Sequence, residues 1–334
     1  MIRKVLLAKY PHQREENSSN PSRRLSKQSS QCRTRLSLKR MKQDSSLFLQ
    51  DETSSDTTND ISSPKDIKLS NLRLGDMIDR GCFSSVHDIQ YDIKGNSAIS
   101  NVESSSVQSS RDDFVIKRAR SSLAWDARIE SIVSLAKEAQ FLAQLSHEHI
   151  INMEGTIGDP GNDDYYLILE RMTSTLSKEM KRWRKEQNFG YNQSKKSKQE
   201  ALLHRLDVGR QICIAMKYLH ENMVVFRDLK PDNVGFDKNH GKVKLFDFGL
   251  AKELKVRDQV SENNYKNTQY VGTRRYMAPE VFNSDTYGLA VDVYSFGILL
   301  WELFTLKIAF DGLTIFQHSD FAYNRNGRPR ILFG

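Results

Sequence analysis

Apolar residues are sparse over the first 65 or so positions and fall into regular patterns from about residue 70. Three short strand-like runs come first, Leu72 to Ile78, Ser85 to Tyr91 and Phe114 to Arg118. A helical pattern follows from about Ala127 to Leu145, then two more strands over Met153 to Ile157 and Tyr165 to Glu170. Beyond these the period becomes helical. Val208, Ile212, Met216 and Leu219 lie on one face of a long helix, as do Val293, Phe296, Leu300 and Leu303 on another. A strand-rich part followed by a helix-rich part predicts an α+β protein of two lobes, β-rich over 69–172 and α-rich over 173–334, behind a tail of residues 1–68. Two stretches read as surface loops inserted in this scheme: the Ser-rich "NSAISNVESSSVQSS" (96–110) and the basic "KRWRKEQNFGYNQSKKSK" (181–198).

The tail is rich in Ser, Thr, Asn and Gln, lacks a sustained period and holds too little apolar surface to offset the entropy of ordering, which predicts disorder. It also explains the formal charge of +8. Residues 1–43 hold twelve Lys and Arg against Glu15 and Glu16, while residues 44–60 hold acids and no Lys or Arg. The excess therefore belongs to the tail rather than to the fold, and nucleic acid is not the partner it indicates. "RRLS" (23–26) and "RTRLS" (33–37) place Ser after Arg as basophilic kinases require; a solvated basic tail and a mitochondrial presequence are the other readings. Cys32, Cys82 and Cys213 are odd in number and lack metal or disulfide spacing, which predicts free thiols in a reducing compartment. No apolar run reaches the roughly eighteen residues of a membrane-spanning helix, and "MIRKVLLAKY" has too short an apolar core for a secretory signal. The expected setting is cytoplasmic or nuclear.

Chemistry concentrates in "VVFRDLKPDN" (224–233), where three apolar residues lead into a charged run. "VGF" and "KVKLF", joined by the turn-forming "DKNHG", predict a hairpin. A hairpin brings its ends together, so Asn233 and Asp247 should lie side by side although fourteen positions apart, with Asp228 five residues upstream of Asn233. Two carboxylates and a carboxamide with Lys230 among them form an oxygen-rich site suited to Mg²⁺ and phosphate. On the strand at 114–118, alternation puts Val115 and Lys117 on one face. In the helix that follows, Glu138 falls within the apolar stripe of Leu135, Leu142 and Leu145, a costly place for a carboxylate without a partner. Lys117 is the obvious partner.

"FRDLKPDN", "DFG" (247–249) and "MAPE" (277–280), in this order and approximate separation, resemble the signature set of eukaryotic protein kinases, from about residue 70 to the last residue. The resemblance implies the two-lobed kinase fold, its last helices missing because the chain ends at "NGRPRILFG". It implies ATP and Mg²⁺ as cofactors and a protein substrate with Ser or Thr, since Lys230 in "DLKPDN" and Thr273 in "GTRRYMAPE" are of the Ser/Thr type. Asp228, Lys230, Asn233, Lys117 and Glu138 are the implied catalytic residues, and Asn233 and Asp247 the implied Mg²⁺ ligands. Ile78, Gly81, Val86, Val115, Lys117, Leu169, Glu170, Met172 and Asp247 are the implied nucleotide site, with Leu169 guarding the adenine pocket. "DVYSFGILLWEL" (292–303) is similar to the tyrosine-kinase-like branch, with Asp292 expected to brace the catalytic loop.

Several positions depart from the family pattern. In "IDRGCFSSV" (78–86) only the central glycine stands, as Gly81, and Asp79 and Ser84 replace the others; Asp79 should weaken nucleotide binding. Phe226 replaces the usual His and is expected to stack in a column with Leu142, Met153 and Phe248. Arg227 needs an anion, which a phosphate placed by an upstream kinase on Thr268, Tyr270 or Ser261, in that order of expectation, would supply. Glu280 is expected to lack the Arg partner it has in relatives, with Arg328 placed in an earlier loop. The rival readings are a pseudokinase or scaffold, favoured by Asp79, Ser84 and the early end of the chain, and nucleic-acid binding through the basic tail of residues 1–43.

Overall fold

The computed structural model describes residues 65–66, 72–81, 83–91, 114–189, 194–238, 241–284 and 286–330. The tail up to residue 64, Cys32, Cys82 and the insertion at 96–110 lie outside the described residues.

The first elements are β1 (Lys65–Asp66), β2 (Leu72–Arg80), β3 (Ser84–Tyr91), β4 (Phe114–Ala119), helix α1 (Trp125–Gln144), β5 (Met153–Ile157) and β6 (Tyr166–Glu170). The six strands form one sheet in the order β1-β5-β6-β4-β3-β2, antiparallel except where β1 meets β5. Alternation along β4 works as the sequence predicts. Ile116 packs with Ile89, Ile157 and Ile168 on the outer face, with Phe114 beside them, while Val115 faces the main core. Helix α1 closes that inner face with Ile132, Leu135, Ala139 and Leu142, spaced by three, four and three residues.

β7 (Met172–Thr175) leaves this sheet and pairs with β9 (Val234–Asp237), which pairs in turn with β10 (Val243–Leu245). Between β7 and β9 run α2 (Leu176–Phe189), α3 (Lys195–Glu221) and the two-residue β8 (Val224–Val225). Here the expectation of a loop over 181–198 is corrected: Lys181 to Phe189 belong to α2 and Lys195 to Lys198 open α3. The Lys, Arg, Glu and Gln that make the stretch polar are also good helix formers. Arg182 pairs with Glu179 and Glu186 along one face of α2, and Ser194 Oγ caps α3 by accepting from the Ser197 amide. Trp183 secures α2 from the other side, edge-on to Phe236 and His204.

The remaining elements are β11 (Lys252–Glu253), paired with β8; a small sheet of β12 (Gln259–Ser261), β13 (Asn264–Lys266) and β14 (Thr286–Tyr287); and α4 (Pro279–Asn283), α5 (Ala290–Thr305) and α6 (Ile315–His318). One apolar cluster runs from Val115 and Leu135 through Phe226 and Phe248 to Val208, Leu299 and Leu303, so both groups of elements share a core. Glu280 on α4 has no ion-pair partner among the described residues; Arg328 lies 4.7 Å from the Tyr294 ring centre and donates to the Ala322 and Gly327 carbonyls. No helix among the described residues is long and apolar enough to cross a membrane.

His318 ends α6 between the rings of Phe310 and Tyr323, 6 % exposed and with neither ring nitrogen hydrogen-bonded. Burial, reinforced by Arg274 and Arg275, lowers its pKa from 6.5 to about 4. The unfolded chain then binds a proton that the folded chain refuses between those two values, so stability falls as pH drops through that window and levels off below about 4. The loss is on the order of 3 kcal/mol. Thermal unfolding of wild type and His318→Phe between pH 7 and 4 should show the variant losing less; parallel curves would contradict a buried neutral imidazole.

Candidate active site

The segment from β8 to β9 carries Phe226 to Asn233, and the first turn of α5 holds it in place. Asp292, fully buried, accepts from the backbone amides of Phe226 and Arg227, each at 2.8 Å, and lies 3.1 Å from His220 Nε2. The brace expected of Asp292 is thus present. It stabilises Arg227 at φ 67°, a left-handed conformation uncommon outside glycine. Phe226 and Phe248 meet edge to face with ring centres 5.0 Å apart, and Leu142 and Met153 belong to the same cluster. The charged loop is therefore tied to the core by its apolar lead-in.

Asp228 is 7 % exposed and surrounded by donors. Its Oδ1 accepts from the Thr273 amide at 2.8 Å and the Thr273 hydroxyl at 2.6 Å. Its Oδ2 accepts from Lys230 Nζ at 2.6 Å and Asn233 Nδ2 at 3.1 Å. These four donors occupy the roughly four lone-pair sites of a carboxylate. Lys230 Nζ also reaches Thr273 Oγ1 at 2.9 Å. The contact with Thr273 depends on Gly272, whose φ is 99° and where a Cβ would collide with the Arg227 carbonyl. Sequence reasoning took Thr273 only as a mark of substrate class and missed this contact.

The hairpin of β9 and β10 pairs Val234 with Leu245, and the Phe246 amide donates to the Asn233 carbonyl at 3.1 Å, so Asn233 and Asp247 emerge together at its open end. Asp247 stands at φ 69° with its side chain 44 % exposed to the cleft. Lys117 Nζ, deep in the interior, donates to Asp247 Oδ1 at 2.9 Å and to Glu138 Oε2 at 2.6 Å, with Glu138 1 % exposed. Burial alone would lower the Lys117 pKa, but Asp247 and Glu138 together hold it above the usual lysine range. For Glu138 burial outweighs Lys117 and its carboxyl stays above the usual range; for Asp247 the reverse holds, and Lys117 keeps it below its ordinary value against the opposing effect of burial. Lys230 adds to that effect on Asp247, which links the two halves of the site electrostatically. Gly249 permits this geometry, because a Cβ there would strike Ser134 on α1.

Around the cleft, Val115 and Leu169 are buried and face each other in register across β4 and β6, with Val86 and Met172 packed against the same cluster. The Glu170 carboxylate turns to the back of this strand and accepts from the Asn152 amide and from Lys244 Nζ, both at 2.6 Å. That second Lys–Glu pair, with Lys244 buried and Glu170 partly exposed, was not anticipated, although Lys244 between Val243 and Leu245 is a charge set in an apolar strand. Ile78 is 43 % exposed and Gly81 is exposed, its amide donating to the Ser84 carbonyl at 2.9 Å. Asp79 lies 3.8 Å from Lys178 Nζ, which moderates the charge it adds.

Arg227 donates through Nε to the Leu250 carbonyl, while its Nη1 is buried without a hydrogen-bond partner. The expected order of modification sites does not match their accessibility. Thr268 is 8 % exposed because the Tyr287 hydroxyl holds its carbonyl from behind; Tyr270 is 46 % exposed with its ring against Phe282, and Ser261 is exposed on β12.

The fold brings this pair of linked polar networks together beside one sheet and one shared core. A family profile described as "Protein kinase domain" matches residues 92–325, and the chain belongs to that family. It is 32 % identical over 195 residues to "Extracellular signal-regulated kinase 2" of Dictyostelium discoideum, covering 58 % of this chain and 48 % of the relative. It is 30 % identical over 297 residues to "Mitogen-activated protein kinase kinase kinase 1" of Arabidopsis thaliana, covering 84 % of this chain and 42 % of the relative. It is 42 % identical over 107 residues to "RGS domain-containing serine/threonine-protein kinase A" of Dictyostelium discoideum, covering 32 % and 9 %. The chain spans less than half the length of each of these relatives.

Proposed function

We propose that this chain is a protein serine/threonine kinase domain that transfers the γ-phosphoryl group of ATP to a Ser or Thr hydroxyl of a protein substrate. The observation that carries this reading is the meeting, in one cleft, of the saturated Asp228 carboxylate with the Lys117, Glu138 and Asp247 triangle. Asn233 and Asp247 fit a divalent cation. Asn233 spends its amide nitrogen on Asp228, which leaves its oxygen as the coordinating end, and Asp247 offers a half-exposed ionised carboxylate. Mg²⁺ is ordinarily held by one or two such oxygens together with substrate phosphates rather than by an all-protein cage. Bound there, it would neutralise phosphate charge during transfer.

Lys117, fixed by Glu138, presents its ammonium to the α and β phosphates. Lys230 presents a second cation to the phosphoryl group in transit. The substrate hydroxyl displaces the Thr273 hydroxyl from Asp228, which orients it and accepts its proton as the new oxygen–phosphorus bond forms and the bond to ADP breaks. Val115, Leu169 and Met172 line the adenine side, with Glu170 and Met172 offering backbone groups. An upstream kinase acting on Tyr270, which is more accessible than Thr268, would supply the anion for Arg227. The lobe limits of 69–172 and 173–334 and a cytoplasmic or nuclear setting belong to the same proposal. A scaffold without phosphotransfer has Asp79 and Ser84 in its favour.

Incubation of the purified chain with Mg²⁺ and labelled ATP, using casein and a basic protein as acceptors, should label Ser and Thr. Absence of label together with no effect of Mg²⁺-ATP on the melting temperature would overturn the proposal.

A further inference from the structure

Thr273 touches Asp228 through both its amide and its hydroxyl, so the residues that follow it flank the point where an acceptor hydroxyl must enter. Those residues are Arg274 and Arg275. Both are partly exposed. Arg274 Nη1 has only two long contacts, at 3.4 Å, to the Ile315 carbonyl and the Ser319 hydroxyl, both neutral. Among the described residues, neither guanidinium has a carboxylate partner.

The acids near them are committed elsewhere. Asp320 pairs with Arg325 at 2.7 Å, and buried Glu302, which feels the Arg275 charge without bonding to it, accepts from the Tyr276 hydroxyl and the Ala309 amide, both at 2.7 Å. His318 is neutral near pH 7 and adds no charge of either sign. The Tyr323 hydroxyl fixes the Arg274 carbonyl at 2.8 Å, so the backbone that bears the pair is anchored to the turn after α6. Two adjacent cations with unspent donors on a single anchored 3-10 turn (Arg274–Tyr276), beside the acceptor site, form a receptor for an anion.

We propose that Arg274 and Arg275 set the substrate specificity of this kinase, selecting acceptor sites that carry an acidic or already phosphorylated side chain close to the Ser or Thr. From Thr273 to Arg275 the chain advances at most about 7 Å, so the favoured anion lies within two or three residues of the acceptor. The inference rests on the kinase reading above and deepens it.

The test compares kcat/KM for peptides of one sequence with Asp, phosphoserine, Ala or Lys at each of the three positions on either side of the acceptor. An Asp or phosphoserine at one of these positions should raise kcat/KM about two- to fivefold over Ala, as exposed charge pairs do, and the preference should shrink at high salt. Arg274→Gln with Arg275→Gln should bring the ratio close to one, Arg→Lys at both should retain part of it, and Arg→Glu at both should turn it toward Lys. Melting temperatures of the variants identify any that fail to fold, and the salt dependence of the wild type alone still tests the idea. Phosphorylation of all peptides without acidic preference overturns the inference and leaves the kinase reading standing; no phosphorylation of any peptide or of casein, together with no effect of Mg²⁺-ATP on the melting temperature, overturns both.

Discussion

Asp228→Ala is expected to lower kcat for phosphotransfer by roughly 10²- to 10⁴-fold, with the KM for ATP changed far less, because Asp228 touches the acceptor side of the cleft rather than Lys117. The loss combines two effects. A positioned base disappears, and the donors that converge on it, the Thr273 amide and hydroxyl, Lys230 Nζ and Asn233 Nδ2, lose their common acceptor. A buried donor left unpaired costs about 1–3 kcal/mol, so the variant should also melt earlier. Asp228→Asn separates the effects, since it keeps the shape and one acceptor oxygen while removing the charge. Rates measured under single-turnover conditions, beside Mg²⁺-ATP-dependent melting to show that the cleft still binds nucleotide, make the comparison. Equal phosphate incorporation by wild type and Asp228→Ala would remove Asp228 from the proposed mechanism.

Lys117→Met should be the most destabilising single change at the site, by about 3–5 kcal/mol, because it strips the partner from Glu138, which is 1 % exposed. Its effect depends on pH in a definite direction. Burial already holds the Glu138 carboxyl above its ordinary 4.5 with Lys117 beside it, and removing the cation raises it further. A carboxyl whose folded pKa is raised favours the fold fully below the unfolded value and loses that contribution as pH rises through the folded value. The deficit of the variant relative to wild type should therefore be larger at pH 8 than at pH 5. Adding Glu138→Leu should recover much of the stability, since an apolar replacement of a whole buried pair is often neutral, without recovering phosphotransfer. A deficit independent of pH, or no rescue by the second change, would contradict the buried-pair account.

Much of this site was legible in the chain because its parts are local. The hairpin of "VGF" and "KVKLF" brings Asn233 to Asp247 over fourteen positions, and the structure pairs the strands as read. Glu138 was legible as an oddity, a carboxylate in an apolar stripe, and Lys117 as the charge on the inner face of a strand; their pairing at 2.6 Å satisfies both. The stretch 181–198 was misread because its polarity suggested solvent, whereas its residues are helix formers that need only Trp183 and the cap at Ser194 to pack. Thr268 looked reactive in sequence and proved enclosed, since nothing near it in the chain announces the Tyr287 hydroxyl nineteen residues later.

From the sequence alone came the periods of the strands and helices, the kinase motifs and the residue types of the site, because side-chain spacing and backbone sterics act over a few residues. Only the tertiary structure decided which charges meet. Lys117 and Asp247 are 130 positions apart, Glu170 and Lys244 are 74 apart, and Asp228 and Thr273 are 45 apart. Closing such loops costs chain entropy that no single ion pair offsets. The shared apolar core that runs from α1 through Phe226 and Phe248 to α5 closes them together, and the polar contacts take the positions that this burial leaves them.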